Sequence, residues 1–490
     1  MYYHPTAFKI KKIIHHFLLT LSLSGSRLRN IICLPVLLII LSCGTRQFKM
    51  EEDQVEFRKI YSIMTKTYER GLFNGNVLVA QNNKIIYQKS FGFTDETRQT
   101  PLSSKSIFNI GSIAKEFNAV SIMILVERGL LNLDDPISRF DLGLPKWADK
   151  VTTRHLINYA SGIPKIESGF TAVSDEDAWK ILRSSDSLLF EPGTGYKYDN
   201  GNVFLQRRII EKLTGKTFEE FVTENIIKPL KMTNSVFDPK SGYKNRTSCY
   251  DVDNVRCPEM NFISGWLWVD INDLYKWIAA LNSNRLISRE SFHTLLNNPY
   301  AKDEGGSLGR YFEKAELQRH NGVSYKFESI FLNDLKNNMA IILVSNNLNR
   351  VWDLGHIIHN AMLGKEYEIP KKSIYQTIRK DALIDVNNAI DNYYSLKQHS
   401  KNDYSFENPA ELNKLGYELL RLEKNDESIT IFKLATKEFP TDANLFDSLG
   451  EAYFANKQYD LALDSYKKAI DLGGTNGNAE KMIEKINKEK

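Results

Sequence analysis

An apolar run that opens on Ser112-Ile-Ala-Lys115 constrains this chain most. Val120, Ile122, Met123, Leu125 and Val126 predict a helix over Ile113–Arg128. A helix this apolar has to be covered by the rest of its domain. Ser112 opens it, and Lys115 falls on the same face about one turn away. At a helix N-terminus the backbone amides and dipole favour developing negative charge. Burial penalises an ammonium, which suits a lysine placed there to serve as a base or proton relay. A serine nucleophile needs such a proton acceptor beside it. The same spacing recurs at Ser241-Gly-Tyr-Lys244, in a polar stretch, and at Ser465-Tyr-Lys-Lys468, in a repeated helix. Neither offers this setting. The structural alternative for Ser112 is a plain helix cap, with Glu116 as a first-turn acid.

Two strand pairs flank the helical middle. Gly75–Gln81 and Lys84–Ser90 surround an Asn82-Asn83 turn, and Tyr325–Leu332 and Met339–Ser345 surround Asn333–Asn338. Gly129 is a helix stop, and Asp134-Asp135-Pro136 starts the next turn. Further helices are predicted at Val203–Leu213 and Trp352–Leu363. Strands, a long helical stretch, then strands predict an α+β domain: an antiparallel sheet with a helical lobe. An all-α helical-repeat segment follows it. Leu415-Gly416 recurs as Leu449-Gly450, Phe432 as Tyr466 and Ala435 as Ala469, each after 34 residues. That is the tetratricopeptide period. Small residues let paired helices approach while Phe432 and Tyr466 fill between them. So short an array needs a neighbour to cover its faces. It serves either as a packing extension of the preceding domain or as a peptide-binding groove.

The formal charge of +4 comes from the N-terminus. Residues 1–42 carry five basic residues and no acid, which leaves 59 basic against 60 acidic residues elsewhere. Nothing calls for a nucleic-acid partner. Ile31–Leu41 is short for a membrane span and suits the core of an export signal. Ile40-Leu-Ser-Cys43 resembles a lipoprotein cleavage site, which would make Cys43 a lipidated N-terminus. An uncleaved anchor and ordinary secretion are the competing readings. Cys249 and Cys257 remain. In an oxidising compartment they can pair as a disulfide. His356-Ile-Ile-His359 has the helical spacing of a metal pair but no carboxylate helper, so no metal or cofactor is expected.

The organisation read from the chain is a signal over 1–42, a tether over 43–55, a catalytic domain over 56–366, a helical connector over 367–408, two repeats over 409–476 and a capping helix over 477–490. Residues 56–366 resemble the β-lactamase-related serine hydrolases, closest in style to class C β-lactamases and to the esterases and D-amino-acid peptidases of that fold. The resemblance is carried by Gly111-Ser-Ile-Ala-Lys-Glu-Phe117, Leu131-Asn-Leu-Asp-Asp-Pro136, Arg154–Asn158 with Ser161-Gly-Ile-Pro164, Pro192–Asn200, Ser264–Leu274 and His320-Asn-Gly322. It implies Ser112 as nucleophile and Lys115 and Tyr198 as the proton-transfer pair. It also implies Asn200, His320 and Gly322 as substrate-binding residues, and the backbone amides of Ser112 and Val323 as the oxyanion hole.

The chain departs from the family's pattern at three places. Penicillin-binding proteins and most β-lactamases carry lysine where this chain has His320. An ordinary imidazole is mostly neutral at pH 7, so carboxylate recognition should weaken in favour of esters, amides or D-amino-acid peptides. Glu116 replaces a common threonine, and Asp199 a common serine or alanine. The resemblance therefore implies a membrane-anchored serine hydrolase of the bacterial cell envelope, acting on a small-molecule or peptide substrate. The rival reading is a non-catalytic envelope peptide-binding or adaptor protein that uses the cleft and the repeats.

Overall fold

The computed structural model describes residues 55–166, 174–251, 253–258, 267–301, 304–347, 349–473 and 477–489. The signal, the lipidation site Cys43 and all but the last residue of the tether lie outside the described residues. The chain divides into two compact units, residues 1–62 and 63–490. The described part of the first, residues 55–62, is helical.

The second unit contains nine strands among its described residues: β1 Gly75–Gln81, β2 Lys84–Phe91, β3 Phe108–Asn109, β4 Val236–Phe237, β5 Leu267–Val269, β6 Arg310–Phe312, β7 Leu317–Ser324, β8 Phe327–Asp334 and β9 Met339–Ser345. Six form one antiparallel sheet in the order β2-β1-β9-β8-β7-β6. Asn82 and Asn83 both adopt positive φ, 51° and 61°. That conformation suits a two-residue hairpin turn, and asparagine tolerates it. Strands β8 and β9 are buried along their whole or nearly whole length. Successive side chains on a strand point to opposite faces, and both faces are covered. On one, Gly355 of the Val351–Met362 helix sits so close that a Cβ would come within 2.9 Å of Leu332. On the other, Phe331, Ile342 and Val344 share a core with Leu274 and Trp277 of the Ile271–Asn282 helix.

The central helix runs from Lys115 to Glu127 and is buried from Lys115 through Leu125. The sequence predicts it as continuous from Ile113; its first turn is instead a tight 3-10 turn, Gly111–Ala114. Gly129 ends it at φ 70°. The helix expected at Val203–Leu213 spans Asn200–Thr214. The strand expected from Tyr325 starts at Phe327, because Tyr325 is a turn residue at φ 56°. His320 lies on the strand before that turn, β7.

Beyond residue 366, seven α-helices follow among the described residues, from Ile374–Ile384 to Asn478–Glu489. A Cβ on Gly416 would meet the Phe432 ring at 2.5 Å, and one on Gly450 the Tyr466 ring at 2.7 Å. The same contact repeats 34 residues on, which is how each helix pair closes. The helices Ile374–Ile384 and Val386–His399, read from sequence as a connector, share one core with the repeats. Ile378, Ala389 and Tyr393 pack with Leu412, Leu415 and Leu445. Arg379 pairs with Glu418. Arg70 donates to the carbonyls of Ile369, Pro370 and Asn402 and pairs with Asp403 at 3.1 Å. Lys380 pairs with Asp253. These contacts tie the helical segment to the sheet domain.

Because that core is shared, a chain cut after residue 408 exposes Ile378 and Tyr393. It is expected to bind a hydrophobic dye and to melt at lower temperature than the full chain. Equal melting temperatures would show that the repeats contribute nothing to the fold.

Candidate active site

Asn109 begins the construction of the site. Its Oδ1 accepts from the amide of Gly111 at 2.9 Å, and Gly111 turns the chain at φ 54°. The turn carries Ser112 to the free edge of β7, which β6 pairs only as far as Arg319. Contact there is backbone to backbone. A Cβ on Gly322 would lie 2.0 Å from the Ile110 carbonyl oxygen, and one on Gly111 would lie 2.5 Å from the Val323 amide nitrogen. Ser329 Oγ donates to the same Ile110 oxygen at 2.8 Å. The close approach at Gly322 is thus made by the serine-bearing turn. Gly322, which the resemblance implied as a substrate-binding residue, is packed against Ile110.

Ser112 Oγ accepts from Lys115 Nζ at 3.1 Å and from Tyr198 OH at 2.8 Å. Lys115 is buried, with Nζ 5.4 Å from the centre of the Tyr198 ring. Tyr198 is half exposed and comes from the loop Pro192–Asn200. That loop is pinned by Gly193 N to Ala160 O and Lys197 N to Tyr159 O, both 2.8 Å. The Tyr159 ring lies 4.7 Å from that of Tyr198 and is buried, so its phenol is held well above the ordinary range. Asp199 caps the following helix by accepting from Gly201 N at 2.8 Å. Burial raises its pKa, and that amide bond opposes the rise. Its departure from the family pattern therefore has a local structural cause. Asn200 is the first residue of the capped helix.

A pocket of about 310 Å³ opens onto Ser112 and Tyr198, with Gly309, His320 and Asn321 in its wall. Sequence reading passed over Gly305, Gly306 and Gly309, which also line it. Their signal was a glycine cluster just ahead of β7. At φ 75°, Gly309 lies so close to His320 that a Cβ would come within 2.7 Å of its side chain. His320 is largely buried and opposes Phe331 across β7 and β8. Its Nδ1 meets Glu116 Oε1 at 2.7 Å. Two residues flagged separately as departures are in contact, 204 positions apart in the chain. Arg319 also borders the pocket, but its guanidinium stacks on Trp352 at 3.8 Å and meets His356 on the other sheet face.

Cys249 and Cys257 are adjacent, with Cys257 N bonded to Cys249 O at 2.9 Å. They are buried free thiols, so the disulfide is not formed in this structure. Burial first, and contact between the two thiols next, holds Cys257 above the ordinary thiol range; burial also raises Cys249. His359 bonds Asp334 at 2.9 Å, and His356 faces Arg319. No cluster of three metal-ligating side chains occurs among the described residues.

Fold and site together define a beta-lactamase and penicillin-binding-protein-like domain followed by helical repeats. Residues 55–362 match the Beta-lactamase family, and residues 443–472 match the Tetratricopeptide repeat. The chain belongs to the beta-lactamase family. It is 28% identical over 349 residues to Penicillin-binding protein 4* of Bacillus subtilis (strain 168), spanning 62% of this chain and 75% of that protein. It is 26% identical over 320 residues to Protein flp of Staphylococcus aureus (strain MW2). That alignment spans 59% of this chain and 63%, less than two thirds, of the relative. The octameric penicillin-binding protein homologue from Pyrococcus abyssi superposes with a TM-score of 0.56 at 24% identity, covering 66% of this chain and 81% of that one.

Gly322→Ala drives a Cβ into the Ile110 carbonyl oxygen, a backbone atom that cannot swing aside. Overpacking of this kind costs about 1–3 kcal/mol. The variant should unfold at lower denaturant concentration, with Ser329→Gly in the same background giving no relief. Unaltered stability would mean that β7 and the turn are less tightly joined than the backbone contacts require.

Proposed function

We propose that this chain is a serine hydrolase of the cell envelope that works through an acyl-enzyme on an ester, amide or D-amino-acid peptide. One observation carries the reading: Ser112 Oγ is held between Lys115 Nζ and Tyr198 OH at the wall of an open pocket. In the proposed reaction Ser112 attacks the substrate carbonyl carbon. Its proton passes to the Lys115–Tyr198 pair and on to the leaving group. The oxyanion falls to the amides of Ser112 and Val323, and each such donor is typically worth about 10²–10³ in rate. Asn200 and His320 contact the acyl portion. Water then resolves the acyl-enzyme. The reading extends to an anchor through lipidated Cys43 and to a protein or peptide partner at the repeats. It rests there on the sequence at Ile31–Cys43 and on the tetratricopeptide match.

A fluorophosphonate probe followed by intact-mass analysis is expected to give one adduct, on Ser112. Screening short-chain esters, D-amino-acid amides and a chromogenic cephalosporin then assigns the substrate class. Ser112→Ala should abolish turnover in a folded protein, since the Ser112 hydroxyl caps no helix amide and bonds only Lys115 and Tyr198 among the described residues. Activity near wild type in that variant sinks the assignment. An unlabelled, well-folded wild type would instead favour the peptide-binding role.

Lys115→Ala and Tyr198→Phe should each slow acylation by about 10²–10⁴-fold. The double variant should be little worse than either single, because the two act on one proton. Multiplicative losses in single-turnover rates would refute a shared relay.

A further inference from the structure

The buried Glu116 carboxylate has no place in the chemistry described above. Its side chain is fully buried, one helical turn beyond Ser112. A carboxylate in that position is costly unless donors surround it. Here they do. Trp277 Nε1 donates to Oε2 at 2.7 Å, and Gln318 Nε2 donates to Oε1 at 3.3 Å. Both donors are themselves held. Trp277 stacks on Phe117 with ring centres 3.9 Å apart. Gln318 Nε2 also donates to the Leu308 carbonyl at 3.1 Å, while its Oε1 accepts from Asn333 Nδ2 at 2.9 Å. The Gln318 amide is thereby oriented with its nitrogen toward Glu116.

With both oxygens facing donors, Glu116 is an acceptor at His320 too, so Nδ1 carries the proton in that 2.7 Å contact. The opposite ring nitrogen, Nε2, makes no hydrogen bond among the described residues, and the ring lines the pocket shared with Ser112. In the tautomer that this contact selects, with the proton on Nδ1, the lone pair is at Nε2. This is the carboxylate–imidazole arrangement that makes a histidine a directed base. Ser112 Oγ already has its two partners in Lys115 and Tyr198. The cleft thus holds two proton-handling groups: one in contact with the nucleophile, one across the pocket from it.

We propose that His320 is the base that activates water for deacylation, and that Glu116 is the positioning residue that holds the ring proton on Nδ1 and so leaves Nε2 to take the proton of water. The step rests on the acyl-enzyme reading above. Water gives a proton to His320 Nε2 as its oxygen bonds to the acyl carbonyl carbon. The carbonyl electron pair moves onto oxygen. On collapse the bond from carbon to Ser112 Oγ breaks, and Nε2 returns the proton to the departing Oγ. The carboxylic acid leaves, and both residues regain their starting states.

The test is stopped-flow hydrolysis of p-nitrophenyl acetate by the full chain. The burst reports acylation and the steady state reports deacylation, with acyl-enzyme followed by mass. In His320→Asn, deacylation should fall by about 10²–10⁴-fold and acylation by under about tenfold, so acetyl-enzyme accumulates. Glu116→Gln keeps the volume but removes the negative charge behind Nδ1 and one of the two acceptor oxygens. It should show the same split to a smaller degree, and the double variant should be no worse than His320→Asn. Hydroxylamine, a nucleophile that needs no base, should restore turnover in both. Parallel losses of burst and turnover would overturn the proposal, as would undiminished deacylation in His320→Asn. A split in His320→Asn but not in Glu116→Gln would remove Glu116 from it. If wild type gives no acetyl-enzyme and no fluorophosphonate adduct, it is the acyl-enzyme reading itself that has failed.

Discussion

Everything at the Ser112 site depends on a backbone contact between two segments that lack side chains where they meet. Gly111 and Gly322 let the turn after β3 lie against the free edge of β7, at separations no Cβ could survive. The Ile110 carbonyl is then taken up by Ser329 from the next strand. This contact joins the helical lobe, which supplies Ser112 and Lys115, to the sheet, which supplies His320. Because it is made by backbone and not by flexible side chains, the geometry of the pocket follows from the geometry of the sheet. Glycine's usual entropic cost is offset here by what its absence of a side chain permits.

The central helix adds a second constraint. It is buried from Lys115 to Leu125, so its charged residues need partners inside the protein. Lys115 finds Ser112, and Glu116 finds Trp277, Gln318 and His320. Neighbours in sequence, the two point to different groups, Lys115 to Ser112 and Glu116 to His320. The repeats obey the same physics without any chemistry. Gly416 and Gly450 admit Phe432 and Tyr466, and the helices once read as a connector complete a core that a short array could not close alone.

Much of this was legible in the chain. Three-residue spacing put Ser112 and Lys115 on one helix face, and their contact follows directly. The Asn82-Asn83 hairpin and the strand Met339–Ser345 came from short apolar runs bounded by turn residues. The 34-residue recurrence gave the helix pairs. Less was legible where partners are distant in sequence. Ile374–His399 looked coreless because its apolar residues are completed by Leu412 and Leu415. Nothing in the sequence says that Ile110 packs against Gly322, because that contact is between segments more than 200 positions apart.

The sequence by itself determined the local chemistry: which residues carry a hydroxyl, an amine, a phenol and an imidazole, and which helix or strand bears each. Hydrophobic period and turn composition are local signals, so they are written in the chain. Tertiary structure alone decided what lies opposite each of those residues. It brought Tyr198 to Ser112 across 86 positions and Glu116 to His320 across 204. Periodicity assigns a residue to a face but is silent about the face packed against it. That choice is made by the packing of the sheet against the lobe, where buried polar groups must satisfy one another at once.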